Sequence, residues 1–165
     1  MPSLSTRHMF LLPFVGCCLI IMIALYMQYV LGQEPCPLCY VQRAEVMLFG
    51  VVALLGTLHN PRAVGRRIYA GLMALIAAAG IATAGRQIWL QHQPKDELPE
   101  CLPPLEFMLE AFPLKDVITK MLYGSSDCAE RGWSLFGLNI AEMSMISFVL
   151  MLLWSLWLLL RKGAQ

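Results

Sequence analysis

The sequence predicts an all-α membrane protein, an antiparallel four-helix transmembrane bundle, on three observations. Hydrophobic residues make up 58% of the 165 positions and charged residues only 14%, far from the balance of a water-soluble domain. Four apolar stretches each approach the roughly 20 helical residues needed to cross a hydrocarbon core of about 30 Å. Lys and Arg gather in alternate connecting segments, as they do in chains oriented by the positive-inside rule.

The first stretch, 9–31, follows Arg7 and His8. It is too long for the apolar region of a signal peptide and lacks a small-residue cleavage site, so it reads as a span. The others cover 41–58, 68–90 and 140–160. Segments 1–8, 59–67 and 161–165 hold Arg7, Arg62, Arg66, Arg67, Arg161 and Lys162 with no acidic residue, which assigns them to the cytoplasm. Loops 32–40 and 91–139 are then exported, and the second carries eight acids against four bases. An even number of spans leaves both termini cytoplasmic. No internal repeat or soluble linker domain is visible, so 1–165 reads as one membrane domain. A net charge of +1 without a long basic run excludes a nucleic-acid partner.

In the third span Ala70, Ala74, Ala78 and Ala82 recur every fourth residue, a small-residue stripe that lets a neighbouring helix approach. Arg86 is the next member of that series and is expected near the exported boundary, either as a polar anchor or as a ligand contact. In the second exported loop, Leu105, Met108, Leu109 and Phe112, then Val117, Ile118, Met121 and Leu122, recur at helical spacing. Pro113 divides this pattern into two short amphipathic helices expected to lie on the membrane surface.

The six cysteines sort by this map. Cys36 and Cys39 fall in the first exported loop, Cys101 and Cys128 in the second, and Cys17 and Cys18 mid-span, where packing is the expected role. Four cysteines on the oxidising side read as two redox pairs. If Pro37 takes the first helical position, Cys36 is the N-cap and Cys39 lies in the first turn, both in the positive field of the helix dipole, which favours thiolate. Arg43 follows Cys39 by four residues, on the same helix face. It either serves an electronegative group in the bilayer, such as the carbonyl of a lipid-soluble acceptor, or snorkels to the headgroups. Four exported cysteines could also hold one zinc ion, but the second pair lacks ligand spacing and no metal is expected. Two structural staples are the other alternative. Cys36 and Cys39 are too close in sequence to constrain much chain, so their value lies in reactivity. A redox protein sending reducing equivalents outward would need a cytoplasmic cysteine, and none is present. Cys101 lies between Pro99-Glu100 and Leu102-Pro103-Pro104, an extended segment suited to docking in a groove.

Cys36-Pro37-Leu38-Cys39 followed by Arg43, with Ser126-Asp127-Cys128-Ala129-Glu130-Arg131-Gly132-Trp133 ahead of the last span, closely resembles the disulfide bond formation protein B family, DsbB. The likeness runs from the first span through the fourth. It implies a bacterial inner-membrane oxidoreductase that reoxidises a periplasmic DsbA-like thioredoxin-fold protein and passes the electrons to ubiquinone or menaquinone. By the same resemblance Cys101 forms the mixed disulfide with the partner and pairs with Cys128. Cys36 pairs with Cys39 and exchanges with the second pair, while Cys39 faces the quinone with Arg43 at its ring oxygen. Some members carry an acidic residue where this chain has Gln42, and a histidine late in the third span where Arg86 or Gln87 falls, with His92 close by. Arg86, Gln87 and His92 are therefore the further candidates for the quinone pocket. The implied chemistry has a thermodynamic logic. Against a partner near about −120 mV, a thioredoxin-like pair at about −270 mV faces roughly 7 kcal/mol uphill, which a quinone of higher potential removes.

Overall fold

The computed structural model describes residues 5–94, 98, 100–103, 105–130, 134, 135 and 137–161. Pro99, Pro104, Arg131, Gly132, Trp133 and Lys162, all used in reading the sequence, lie outside the described residues. Four long helices form the body: α1 (Thr6–Tyr29), α2 (Pro37–His59), α3 (Ala63–Leu90) and, last in the chain, α6 (Ile140–Leu160). All four are long and apolar enough to cross a membrane. Between α3 and α6 come α4 (Leu105–Ala111), α5 (Leu114–Tyr123), a 3-10 turn (Ser126–Ala129) and two short antiparallel strands. These strands, β1 (Ser134–Leu135) and β2 (Leu138–Asn139), pair Ser134 with Asn139 and Leu135 with Leu138. No periodicity in the sequence announced them.

The first three long helices start ahead of the apolar stretches that reveal them, since their first turns lie outside the hydrocarbon; α1 stops at Tyr29, short of its stretch, and α6 coincides with its own. The helix α2 starts at Pro37, whose fixed φ suits the first helical position, and Cys36 is its N-cap. It ends at Asn60, whose φ of 45° closes the helix in the left-handed region that asparagine tolerates. The helix α6 opens with a capping box: Asn139 Oδ1 accepts from Glu142 N at 2.9 Å and Glu142 Oε2 accepts from Asn139 N at 2.8 Å. The Asn139 amide also donates to Gln91 Oε1 at 2.9 Å, joining the start of α6 to the end of α3.

The helix α2 packs between α1 and α3, and α3 packs against α6. The buried side of α3 runs through Ala70, Met73, Ala77, Gly80, Ala84 and Gln87. The strict i+4 alanine series drifts off this face, and Ala78 and Ala82 are exposed, because a helix turns once in 3.6 residues and needs alternating steps of three and four. Gly80 lies directly under the ring of buried Phe148 from α6, and Gly56 of α2 lies under Phe10 of α1. Close approach therefore depends on two glycines. Side chains such as Leu12, Leu75 and Leu153 point outward, Leu75 with 70% of its surface exposed, which fits lipid as their solvent. Cys17 is buried beside Gly50, and Cys18 faces outward.

Arginines gather at one end of the bundle. Buried Arg66 donates to the Arg161 carbonyl, Arg161 donates to Met9 Sδ at 3.0 Å, and Trp154 Nε1 donates to the Met9 carbonyl at 3.2 Å. Together these tie α1, α3 and α6. At the opposite end, α4 and α5 bury Met108 and Val117 and turn Phe107, Leu109, Leu114, Ile118 and Leu122 outward. That is the amphipathic arrangement expected of surface helices.

Candidate functional site

Cys36, Cys39 and Cys128, with Cys101 beside them, meet at the end of the bundle remote from Arg66 and Arg161. Cys36 and Cys39 are separated by three positions on the first turn of α2, so their sulfurs point the same way and lie 2.7 Å apart. Cys36 Sγ also accepts from the backbone N–H of Cys39 at 3.4 Å, the contact that makes it the cap. A third sulfur arrives from far along the chain. After α5 the backbone turns at Gly124, whose φ of 81° favours glycine and where a Cβ would lie 2.7 Å from Leu90 and 3.1 Å from Leu38. Only glycine lets the loop press down onto the ends of α2 and α3. The 3-10 turn that follows puts Cys128, fully buried, into one cluster with Cys36, Leu38 and Leu90, against which Cys39 packs.

Cys36 therefore stands between two sulfurs. Its thiol is pushed above the ordinary range, first by hydrogen bonding to Cys128 and then by hydrogen bonding to Cys39 and by burial. Cys128 moves the other way, lowered to about 6, chiefly because Cys36 donates to its sulfur; backbone N–H groups of Ser125 and Leu38 add to this and burial opposes it. The helix-dipole field at the tip of α2 thus does not act on its cysteines alike. Cys36 is biased toward the thiol, and Cys128, which draws on the Leu38 N–H at the helix start, toward the thiolate.

A testable consequence follows in the reduced protein with Cys39→Ser and Cys101→Ser. A thiolate ultraviolet absorbance is expected to grow in with a midpoint near pH 6. Stabilisation by this depressed group is full above the unfolded thiol value of about 8.5 and is lost as pH falls through the folded value. Adding Cys36→Ala removes the largest contribution, so the midpoint should rise. A midpoint indifferent to that change would contradict the hydrogen-bond assignment.

Cys101 is exposed, and its Sγ meets Ser126 Oγ at 3.0 Å. It is thereby parked beside the turn that carries Cys128 while remaining open to solvent. All six cysteines are free, and Cys128 has Cys36 as its sulfur neighbour.

Arg43 turns toward α1. Its guanidinium donates to Gln28 Oε1 and, at 3.1 Å, to the Ala24 carbonyl, and it lies 6.0 Å from the centre of the Tyr40 ring. A guanidinium has five N–H donors, so these two acceptors leave donors for a further oxygen at membrane depth. Arg86 reaches back over the loop. Its Nε and a terminal nitrogen donate to the Tyr123 carbonyl at 3.2 and 3.1 Å, and it stacks on Trp89 and Tyr123 at 4.4 and 5.0 Å. These contacts fasten the end of α5 to α3. His92 is exposed at the end of α3, with Nδ1 2.8 Å from the Ile88 carbonyl.

Gln87 enters the sulfur cluster itself. Its Nε2 donates to Cys36 Sγ at 3.5 Å and to Cys39 Sγ at 3.6 Å. Its Oε1 accepts from Gln42 Nε2 at 2.8 Å. Gln42 was not singled out as a site residue in the sequence. The available signal was its position three residues after Cys39, on the same helix face. Among the described residues no group of three or more His, Cys, Asp and Glu side chains is arranged to hold a metal ion.

Four spanning helices with a clustered set of exchangeable thiols at one end define a membrane thiol–disulfide protein. Comparison places it more closely. The family model described as Disulfide bond formation protein DsbB matches residues 6–158, and the chain belongs to that family. It is 50% identical over 158 residues to Disulfide bond formation protein B of Stutzerimonas stutzeri, covering 96% of this chain and 97% of that one. It is 47% identical over 163 residues to Disulfide bond formation protein B 1 of Pseudomonas aeruginosa, covering 99% and 100%. With Disulfide bond formation protein B of Marinobacter nauticus it shares 42% identity over 159 residues, covering 96% and 95%. No solved structure matches the chain. The family is one of disulfide bond formation in membranes, an oxidoreductase chemistry.

Proposed function

We propose that the chain is a protein-dithiol:quinone oxidoreductase of the bacterial inner membrane, with both termini in the cytoplasm, that reoxidises a periplasmic DsbA-like protein and delivers the electrons to ubiquinone or menaquinone. The observation that carries this reading is the run of sulfurs Cys39, Cys36 and Cys128 at the start of α2, with Cys101 exposed beside it.

The bonds balance as follows. With Cys101–Cys128 and Cys36–Cys39 bridged, a partner thiolate attacks the Cys101 sulfur and Cys128 leaves as thiolate. Its depressed pKa makes it a good leaving group. Cys128 attacks Cys36, the sulfur it already adjoins, and the Cys36–Cys39 bond breaks with Cys39 as leaving group. The partner's second thiol resolves the mixed disulfide, so the partner is oxidised and Cys101 is released as a thiol. Cys101 then displaces Cys36 from Cys128, leaving the Cys36–Cys39 pair reduced by two electrons. A bound quinone supplies the sink for those two electrons and two protons. Arg43 fits such a group, since its donors left over from Gln28 and Ala24 can take a ring oxygen within the bilayer.

The test is turnover with purified components: a reduced thioredoxin-fold thiol oxidase, this protein in detergent and a short-chain quinone. Quinone should be consumed mole for mole with partner disulfide formed. Arg43→Ala should raise the KM for quinone about ten- to a hundredfold, the loss of one charged hydrogen bond. Partner oxidation that proceeds equally without quinone, or quinone left untouched, would overturn the proposal.

A further inference from the structure

Gln87 is the polar group that α3 presents to the thiols, and the cost of burying it demands an explanation. Only 4% of its surface is exposed, and an amide in such surroundings is destabilising unless its hydrogen bonds are made. They are made in a directed way. Both contacts to sulfur come from the amide nitrogen, at 3.5 Å to Cys36 and 3.6 Å to Cys39. The amide oxygen is occupied by Gln42 Nε2 at 2.8 Å, and Gln42 is itself buried at 5% exposure. Rotating the Gln87 amide by half a turn would set its oxygen against two sulfurs and its nitrogen against the Gln42 donor. Gln42 therefore fixes which end faces the cysteines.

We propose that Gln87 is a positioning residue for the Cys36–Cys39 pair, held by Gln42 so that its N–H groups stabilise negative charge on the reduced sulfurs and make the pair a stronger oxidant. An N–H bond to an ionised sulfur is about twice as strong as one to a neutral acceptor. The amide thus favours the reduced, partly ionised pair over the bridged pair, in which both sulfurs are neutral. Two electrons added to the Cys36–Cys39 bond give two sulfurs, one taking a proton and the other leaning on Gln87. This stabilisation of the electron-accepting product raises the reduction potential of the pair. The chain thereby meets, with a neutral side chain, part of the uphill step from a strongly oxidising partner.

The inference rests on the reading of Cys36–Cys39 as redox-active, and its test needs neither quinone nor partner. Full-length protein with Cys101→Ser and Cys128→Ser, leaving one exported pair, is equilibrated in dithiothreitol buffers of graded oxidation, and the reduced fraction is read by thiol alkylation. Gln87→Leu should lower the ratio of reduced to oxidised pair about tenfold at a fixed buffer, equivalent to about 30 mV for this two-electron couple. Thiolate absorbance of the reduced pair at neutral pH should fall with it. Gln42→Leu, which leaves Gln87 in place but free to turn, should give a smaller shift in the same direction, and it carries the test alone should the Gln87 variant not accumulate. A ratio unchanged within twofold in whichever of these variants accumulates would overturn the proposal. A side chain that served the quinone alone would raise the KM for quinone and leave this equilibrium untouched. If the equilibrium shifts as expected but the wild-type protein reduces no quinone, the turnover reading fails and the role of Gln87 stands.

Discussion

Cys36→Ser is expected to bring electron flow from partner to quinone down to background, a fall of at least about a thousandfold, while the mixed disulfide between the partner and Cys101 still forms and accumulates. The reason is positional. Cys36 lies against both Cys39, at 2.7 Å, and Cys128, in the same buried cluster, and so links the two sulfurs. A reaction between groups held in contact loses orders of magnitude when one is removed, since the remaining pair must meet without that orientation. Serine matches the size of the thiol and can still cap α2, so the helix start is preserved and the loss is chemical. Cys39→Ser should be as severe, and the double variant no worse than either, because groups acting in one relay do not contribute additively. The check is steady-state quinone reduction together with non-reducing gels. A Cys36→Ser protein retaining a tenth of wild-type turnover would mean that Cys128 reaches Cys39 by another route.

The second large effect concerns stability. Gly80→Val should unfold the bundle or lower its unfolding midpoint severely, because any Cβ at this position would fall within the space of the Phe148 ring. Phe148 is 99% buried, in an interior where close packing leaves few voids for a displaced ring. Overpacking of this kind costs about 1–3 kcal/mol where side chains can shift, and more where they cannot. Here the backbones of α3 and α6 would have to separate, in a membrane where packing itself holds helices together. Gly80→Ala should show a milder loss, and Phe148→Leu should restore much of it in the double variant. Thermal unfolding in detergent, followed by helical circular dichroism, measures all three. A Gly80→Ala protein as stable as wild type would show that the two helices are not held at this distance.

The same glycine shows what could and could not be read from the chain. Four spans were legible because lipid imposes a length and a polarity that few residues can disguise. The start of α2 was legible because proline fixes φ and so turns Cys36 into a cap. The face of α3 was misjudged, since the alanine repeat is conspicuous by eye while Gly80 and Gln87 follow the true helical period. The sulfur cluster was half visible. Cys36 and Cys39 share a helix turn, but the arrival of Cys128 depends on Gly124 seating the loop on Leu38 and Leu90, a contact between residues far apart in sequence. Likewise the Gln42–Gln87 pair joins residues on two helices, and local spacing shows only one of its members beside a cysteine. Arg86, expected as a polar anchor or a ligand contact, is anchored on the loop, because Tyr123 offers it a carbonyl and a ring.

Arg7, Arg62, Arg66, Arg67 and Arg161 lie at one end of the bundle and the Cys36, Cys39 and Cys128 cluster at the other. Inverting the protein would drag Arg7, Arg62, Arg66, Arg67 and Arg161 through hydrocarbon, at about 2.5–3.5 kcal/mol each even on the mildest insertion scales. Arg66 and Arg161 would also have to give up the bonds that knit three helices together. The orientation chosen at insertion is therefore kept for the lifetime of the molecule. The cysteines sample a single redox buffer from synthesis to degradation, and whichever small thiols fill the far compartment never reach them.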